Sequence, residues 1–251
     1  MPYSEQRLFY SIFLAFTAIS FVCAQDLDEI LDTHFKTIGQ EKLLKVNTME
    51  ASGKMTLVMM GTEGGFKSFN KKPNKMRVEV EVMGSDVVQA YDGITVWTIN
   101  PMAGSSAAME MTGPEAEGLI ETADMDGQLW NYKEKGHVLE LVGTEEHGGS
   151  KVFVLKLTKK NGKIDHYYID SEDYVIVKTK AKVMANGMEL DMETLMSDYR
   201  EVNGYLGAYK IETRIGGQAY STIQLEEVKY NAPIDDAIFA KPSGEGDVSI
   251  F

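Results

Sequence analysis

A single cysteine, Cys23, in 251 residues leaves no partner for a disulfide and no cluster for a thiolate metal site. Basic charge is scarce: 25 Lys and Arg face 38 Asp and Glu, for a net charge of −13. A phosphate backbone has to be met by clustered cations, so nucleic acid is excluded as a partner, and anionic lipid surfaces are disfavoured. The four histidines, His34, His137, His147 and His166, are scattered, with no pair at metal-ligand spacing. There is no Gly-x-Ser-x-Gly elbow and no glycine-rich loop ahead of a helix. No run approaches the roughly 18 apolar residues of a membrane-spanning helix.

What is present begins with Arg7, an apolar stretch from Leu8 to Val22, and Val22-Cys23-Ala24 before the polar Gln25-Asp26. This is the pattern of a signal peptide over residues 1–24, cleaved after Ala24, and it implies export. Lipidation of Cys23 is the competing reading, but a bacterial lipobox places a small residue where this chain has Val22. Residues 25–251 suffice for one large β-domain with no linker, repeat or low-complexity tract.

The expected domain opens with a helix. Leu27, Ile30, Leu31, Phe35 and Ile38 form a stripe that Gly39 ends, and its first turn is acidic. From Thr48 the period becomes two, most cleanly in Met76-Arg77-Val78-Glu79-Val80-Glu81-Val82. Here one face is apolar, and Arg77, Glu79 and Glu81 are expected to meet solvent.

Further strands are expected at Ala51–Met60, Phe66–Lys71, Val87–Tyr91, Thr95–Asn100, Val138–Val142, Val152–Thr158, Ile164–Ile169, Tyr174–Val183, Met188–Tyr199, Tyr209–Arg214 and Tyr220–Tyr230. Asp92-Gly93, Asn161-Gly162 and Asn186-Gly187 supply hairpin turns, so neighbouring strands pair antiparallel. Gly61-Thr62-Glu63-Gly64-Gly65 and Gly148-Gly149 read as further hairpin turns. The fold expected is mainly β with a few helices, an antiparallel sheet or barrel of about a dozen strands.

One segment breaks the rhythm. Pro114–Ala123 reads as a short helix with Pro at its first position, Leu119 and Ile120 on its inner side and Glu115, Glu117 and Glu121 around it. Pro101–Ser106 ahead of it reads as a flexible small-residue loop, and Asp124-Met125-Asp126-Gly127 behind it leads to Trp130. A lid is one reading of this helix, and a helix permanently packed on the barrel end is the other. Asp124-x-Asp126-Gly127 lacks the remaining ligands of a calcium loop. Fourteen of the fifteen methionines lie beyond the leader, many of them between Met49 and Met125. They suit either an adaptable site or a Met-rich core.

Two stretches bring a family into view. Lys71-Lys72-Pro73-Asn74-Lys75-Met76 is followed by Asp92-Gly93, Trp97 and Pro101, and the chain closes on Asp236-x-x-Phe239 and Pro242-x-Gly244. In these it resembles the LolA-like carriers of the outer-membrane lipoprotein-sorting type. That resemblance implies an unclosed antiparallel β-barrel with a helical lid and a hollow for acyl chains, and no enzymatic activity or cofactor. It places Met55, Leu57, Met76, Val78, Val80, Val82, Trp97, Ile99, Met109 and Met111 in the hollow, and Leu119, Ile120 and Trp130 at the lid. Where the family has an arginine that closes the lid, this chain has Lys72, a cation without the planar fork.

The implied function is a periplasmic carrier of lipid or lipoprotein acyl chains, with an inner-membrane exporter and an outer-membrane acceptor as handover partners. A hydrophobic-ligand-binding or envelope-sensing module on the same fold is the alternative. A hydrolase would need a buried nucleophile beside His137 or His166. The leader makes the first prediction: intact mass of the exported protein should correspond to a chain starting at Gln25, and a mass for diacylated Cys23 overturns the soluble reading.

Overall fold

The computed structural model describes residues 27–185 and 188–243. The expected leader and cleavage site, Cys23, the expected Asn186-Gly187 turn and Gly244 lie outside the described residues. Thirteen strands form one antiparallel sheet. The first six are β1 (Thr48–Leu57), β2 (Thr62–Lys71), β3 (Lys75–Val82), β4 (Ser85–Tyr91), β5 (Val96–Asn100) and β6 (Ser105–Glu110). After the crossing segment come β7 (Val138–His147), β8 (Ser150–Thr158), β9 (Ile164–Asp170), β10 (Ile176–Ala185), β11 (Met188–Val202), β12 (Tyr205–Ile215) and β13 (Gln218–Tyr230).

Their spatial order is β6-β5-β4-β3-β2-β1-β13-β12-β11-β10-β9-β8-β7. Each half is therefore a meander, and the halves join where β1 pairs with β13. A bulge at Ser52/Gly53 bends that seam, and Gly53 fits because a Cβ there would meet the Gln224 carbonyl oxygen at 2.1 Å. The two edges, β6 and β7, do not pair, so the barrel is unclosed.

Among the described residues three α-helices accompany the sheet: α1 over 27–38, α2 (Gln40–Leu43) and α3 (Pro114–Thr122). Among the described residues no helix is long and apolar enough to cross a membrane.

Residues opposite one another across a ladder share a face, so the register assigns each side chain a side. Met76, Tyr91 and Val96 are successive partners across β3, β4 and β5, and α3 packs on them. They define the inner face. At the other end of the sheet Leu139, Leu155, Leu157 and Ile169 lie under Leu27, Ile30 and Leu31 of α1. Of the stripe its periodicity indicated, α1 buries Leu27, Ile30 and Leu31 and leaves Phe35 and Ile38 half-buried, while His34 joins the buried side.

The outer face is covered by chain beyond β13. Lys71 of β2 and Lys75 of β3 hold Asp236 at 2.7 and 2.9 Å, which keeps that carboxyl at about 2. Arg77 Nη1 donates to the Ile238 carbonyl at 2.7 Å, and Trp97 Nε1 of β5 donates to the Phe239 carbonyl at 2.8 Å. Lys241 reaches Glu110 of β6 at 2.8 Å. This strap crosses one strand after another and buries Val88, Ala90, Trp97 and Ile99 beneath it.

Several expectations are corrected here. Arg77 and Glu79 do not meet solvent: they pair at 2.7 Å under the strap, and only Glu81 is exposed. Pro101–Ser106 is not a flexible loop but a one-turn 3-10 helix (Pro101–Ala103) and the start of β6, a strand that small residues had disguised. Gly64 and Gly65 belong to β2 rather than to a turn. The missing side chain at Gly64 admits the Glu81 carbonyl, which a Cβ would meet at 1.9 Å.

Phe239 is fully buried at the centre of the strap. Phe239→Ala should lower the unfolding free energy by about 3–5 kcal/mol in a denaturant titration. A loss under about 1 kcal/mol would show that the strap's hydrogen bonds alone hold it.

Candidate functional site

The inner face carries three apolar zones. Under α3, Met76, Tyr91 and Val96 meet Ala116 and Ala123, with Val78, Met111 and Leu119 packed around them. In the middle, Ala51, Phe66, Tyr209 and Leu225 are joined by the half-buried Met55, Val78, Val80 and Ile223. Val78 belongs to both zones, so the surface under the helix runs on into the middle. The third zone is the α1 end.

The helix α3 lies in the segment joining the two edge strands. One side of it rests on β3–β5, and it also contacts β10. A nine-residue helix can touch both ends of the sheet only if the sheet curls around it.

What fastens α3 on the second side is charge. Lys159, buried at the end of β8, binds Glu121 of α3 and Asp165 of β9, each at 2.6 Å. Lys163 binds Glu117 at 2.7 Å, and Asn161 donates to Glu121 at 3.4 Å. Burial acts to lower the Lys159 pKa, but the hydrogen bonds and charges of Asp165 and Glu121 outweigh it and raise the ammonium above its ordinary value. The chain beyond α3 is held in the same way. Asp124 takes Lys135, and Asp126 takes Lys72 at 2.7 Å. Lys72 also donates to the Leu44 carbonyl at 2.8 Å, which ties this segment to the end of α2.

The residues expected at the hollow therefore divide. Met55, Leu57, Met76, Val78, Val80 and Val82 alternate onto the inner face, and Met109 pairs with Thr98 on that same face. Met111 packs under α3. Trp97 and Ile99 lie on the opposite, strap-covered face, because Val96 and Thr98 occupy the inner positions of β5.

Of the two residues of α3 expected at a lid, Leu119 packs inward and Ile120 is 41% exposed. The inward stripe is Ala116, Leu119 and Ala123. Trp130 stacks edge-on against Phe35 of α1 at 5.0 Å rather than on α3. Lys72 does reach the segment that follows the helix. The two aspartates of the supposed calcium loop are each occupied by a lysine, and among the described residues no group of three or more His, Cys, Asp or Glu is placed to hold a metal.

The middle-zone residues of the later strands, Tyr209, Ile223 and Leu225, were missed, although their alternation was visible. So was the latch. Its one signal is a cationic turn, Lys159-Lys160-Asn161-Gly162-Lys163, in an acidic chain. A separate cleft of about 760 Å3, between Lys45, Asn47 and Thr48 and the segment from Asn231 to Asp235, shares no residue with the inner-face zones.

A family model described as "Uncharacterized protein" matches residues 118–243, half of the chain. No curated protein sequence matches. Among solved structures, the chain is similar to a DUF1329 family protein of Desulfovibrio piger, with 12% identity, TM-score 0.59, and coverage of 84% of this chain and 97% of that one. A LolA superfamily protein of Nitrosomonas europaea has 14% identity and TM-score 0.54, covering 78% and 90%. A putative outer membrane lipoprotein-sorting protein domain of Vibrio parahaemolyticus has 14% identity and TM-score 0.53, covering 82% and 96%. The fold is thus that of the LolA superfamily.

Lys159→Met leaves Asp165 and Glu121 without their buried cation, a change worth about 3 kcal/mol or more. Amide exchange over Pro114–Thr122 should then quicken about a hundredfold. Lys163→Met, at a more exposed pair, should change it less than about fivefold. Equal effects from the two variants would show that apolar contacts, not the buried pair, set the opening of α3.

Proposed function

We propose that this chain, which belongs to the family whose model matches residues 118–243 and has the LolA-superfamily fold, is an exported carrier that buries lipid acyl chains against its inner face. One observation carries this reading. The apolar middle zone, with Met55, Val78, Val80 and Ile223 only half-buried, continues under a helix that is fastened on its far side by ion pairs.

The energetics favour such a device. An acyl chain gains on the order of 0.8 kcal/mol for each methylene buried, so a permanently open groove would hold its cargo too tightly to release it. In the empty state Ala116, Leu119 and Ala123 of α3 occupy the surface over Met76 and Tyr91. Cargo entering from the middle zone has to displace them, and that cost offsets part of the binding energy. Lys72, through Asp126, holds the trailing end of the lid while α3 moves.

Lipoprotein acyl chains are the specific cargo proposed, with the periplasm as the compartment and an inner-membrane exporter and outer-membrane acceptor as handover partners. Two structural relatives, a LolA superfamily protein and a putative outer membrane lipoprotein-sorting domain, support this choice. An envelope-sensing module on the same fold is distinguished by cargo: lipid extracted from the purified protein and identified by mass spectrometry favours the carrier.

Val80 lies on the inner face, and its neighbour Glu81 is exposed on the outer one. Val80→Asp should weaken binding of a fluorescent fatty acid at least tenfold, about 1.4 kcal/mol, while Glu81→Gln leaves it unchanged. Equal binding by both variants, each still folded by circular dichroism, would remove the inner face as the site.

A further inference from the structure

A polar line crosses the apolar inner face. Residues opposite one another across a ladder share a face. Leu57 of the hollow stands opposite Ser221, Ser221 opposite Thr213, Thr213 opposite Thr194, Thr194 opposite Thr179, and Thr179 opposite Tyr167. Five hydroxyl groups on five neighbouring strands thus form one row from β13 to β9, roughly 19 Å long at about 4.8 Å per strand. The rows on either side are apolar. Met196, Ile211, Ile223 and Met55 are successive partners in one, and Ala181, Met192 and Ile215 in the other.

Threonine is at home on a strand, so what sets this row apart is the state of its hydroxyls. Cross-strand Thr and Ser pairs can bond to each other. Here, among the described residues, nothing bonds the side-chain oxygens of Thr179, Thr194, Thr213, Ser221 or Tyr167. The three threonines are half-buried, and Ser221 is only 4% exposed.

An acyl chain laid over the middle zone takes water from this row. A hydroxyl buried without a partner costs free energy, so cargo that covers the row has to bring hydrogen-bond acceptors to it. The acceptor is not an anion, because the row has no cation to meet one. Lys178 and Lys180, on either side of Thr179, alternate onto the outer face, where Lys178 lies over the Tyr168 ring and Lys180 pairs with Glu193. Asp165, on the same face as Tyr167 and two residues before it, is itself a carboxylate, held by Lys159. Burial, and then the carboxylates of Asp165, Glu121 and Asp124, push the Tyr167 phenol up, so it stays an O–H donor. A carboxylate or phosphate head would give up its water here with no charge to replace it. An ester carbonyl is an uncharged acceptor with two lone pairs.

We infer that this hydroxyl row binds the carbonyl oxygens of an uncharged acyl ester, so that a glyceride-type lipid is taken in preference to a free fatty acid. This rests on the carrier reading above, in which the acyl chains themselves lie on the apolar rows.

The test is calorimetric titration of the exported protein with 1,2-dioctanoylglycerol and with its diether analogue 1,2-dioctylglycerol, which keeps both chains and loses only the carbonyls. The wild type should bind the ester about tenfold more tightly, and monooctanoylglycerol at least about tenfold more tightly than octanoate. Thr194→Val combined with Thr213→Val keeps the side-chain shape, removes two hydroxyls, and should bring the ester down to the affinity of the ether. Thr194→Ser combined with Thr213→Ser should retain the preference, as should Thr222→Val on the outer face.

Equal affinity of the wild type for ester and ether, octanoate bound as tightly as the monoester, or a preference that survives in the folded valine pair overturns the row and leaves the apolar site in place. Binding of neither two-chain ligand overturns the carrier reading along with it. The wild-type comparison needs no variant and decides the matter should the valine pair fail to fold.

Discussion

A sheet this wide has two faces to keep from water, and one chain has to cover both. The inner face is shared between α1 at one end and α3 at the other, and the outer face of β2–β6 is roofed by the strap after β13. Among the described residues no helix lies over the middle of the inner face, where Met55, Val78, Val80 and Ile223 stay half-buried around the buried Phe66 and Leu225, and the proposed site is there because the cover runs out. The same requirement explains why Asp236-x-x-Phe239 stands near the chain's end: the aspartate grips two strands by charge and the phenylalanine fills the space under the strap.

The two covers differ in kind. The strap has Phe239 and Trp97 fully buried and backbone carbonyls taken by Arg77 and the indole, so it can leave only by exposing large apolar groups. The helix α3 offers mainly alanines and one leucine inward, and relies on Lys159 and Lys163 for its far side. An interface poor in apolar area and rich in short-range ion pairs loses little packing when it opens. The difference in side-chain types is what the proposed lid role of α3 requires: its cover is light in apolar contact where the strap's is heavy.

How far the sequence alone could be read depended on the range of the interaction concerned. Period-two alternation and the Asp92-Gly93 and Asn161-Gly162 turns located twelve of the thirteen strands, because these are local properties. β6 escaped because Ser106, Ala107 and Ala108 carry no alternation. Alternation in Met76–Val82 correctly separated two faces, yet it does not tell which face is wet. Arg77 and Glu79 looked solvated only because the strap that covers them arrives some 160 residues later. Trp97 and Ile99 were assigned to the hollow through the family resemblance, where the register of β5 against β4 decides otherwise. The latch joins Glu121 to Lys159 across the gap between the sheet's two edges, and no local pattern encodes such a meeting.

The seam between β1 and β13 has a consequence for how the molecule is made. Each half of the sheet is a meander whose strands pair with their sequence neighbours, so each can assemble through short loop closures. The central pairing joins the first strand to the last and closes nearly the whole domain as one loop. Until β13 is present, β1 is an unprotected edge at the middle of the future sheet. A chain that lacks β13 thus presents β1 as an unpaired, aggregation-prone edge, and the long-range closure falls at the centre of the finished sheet, not at its rim.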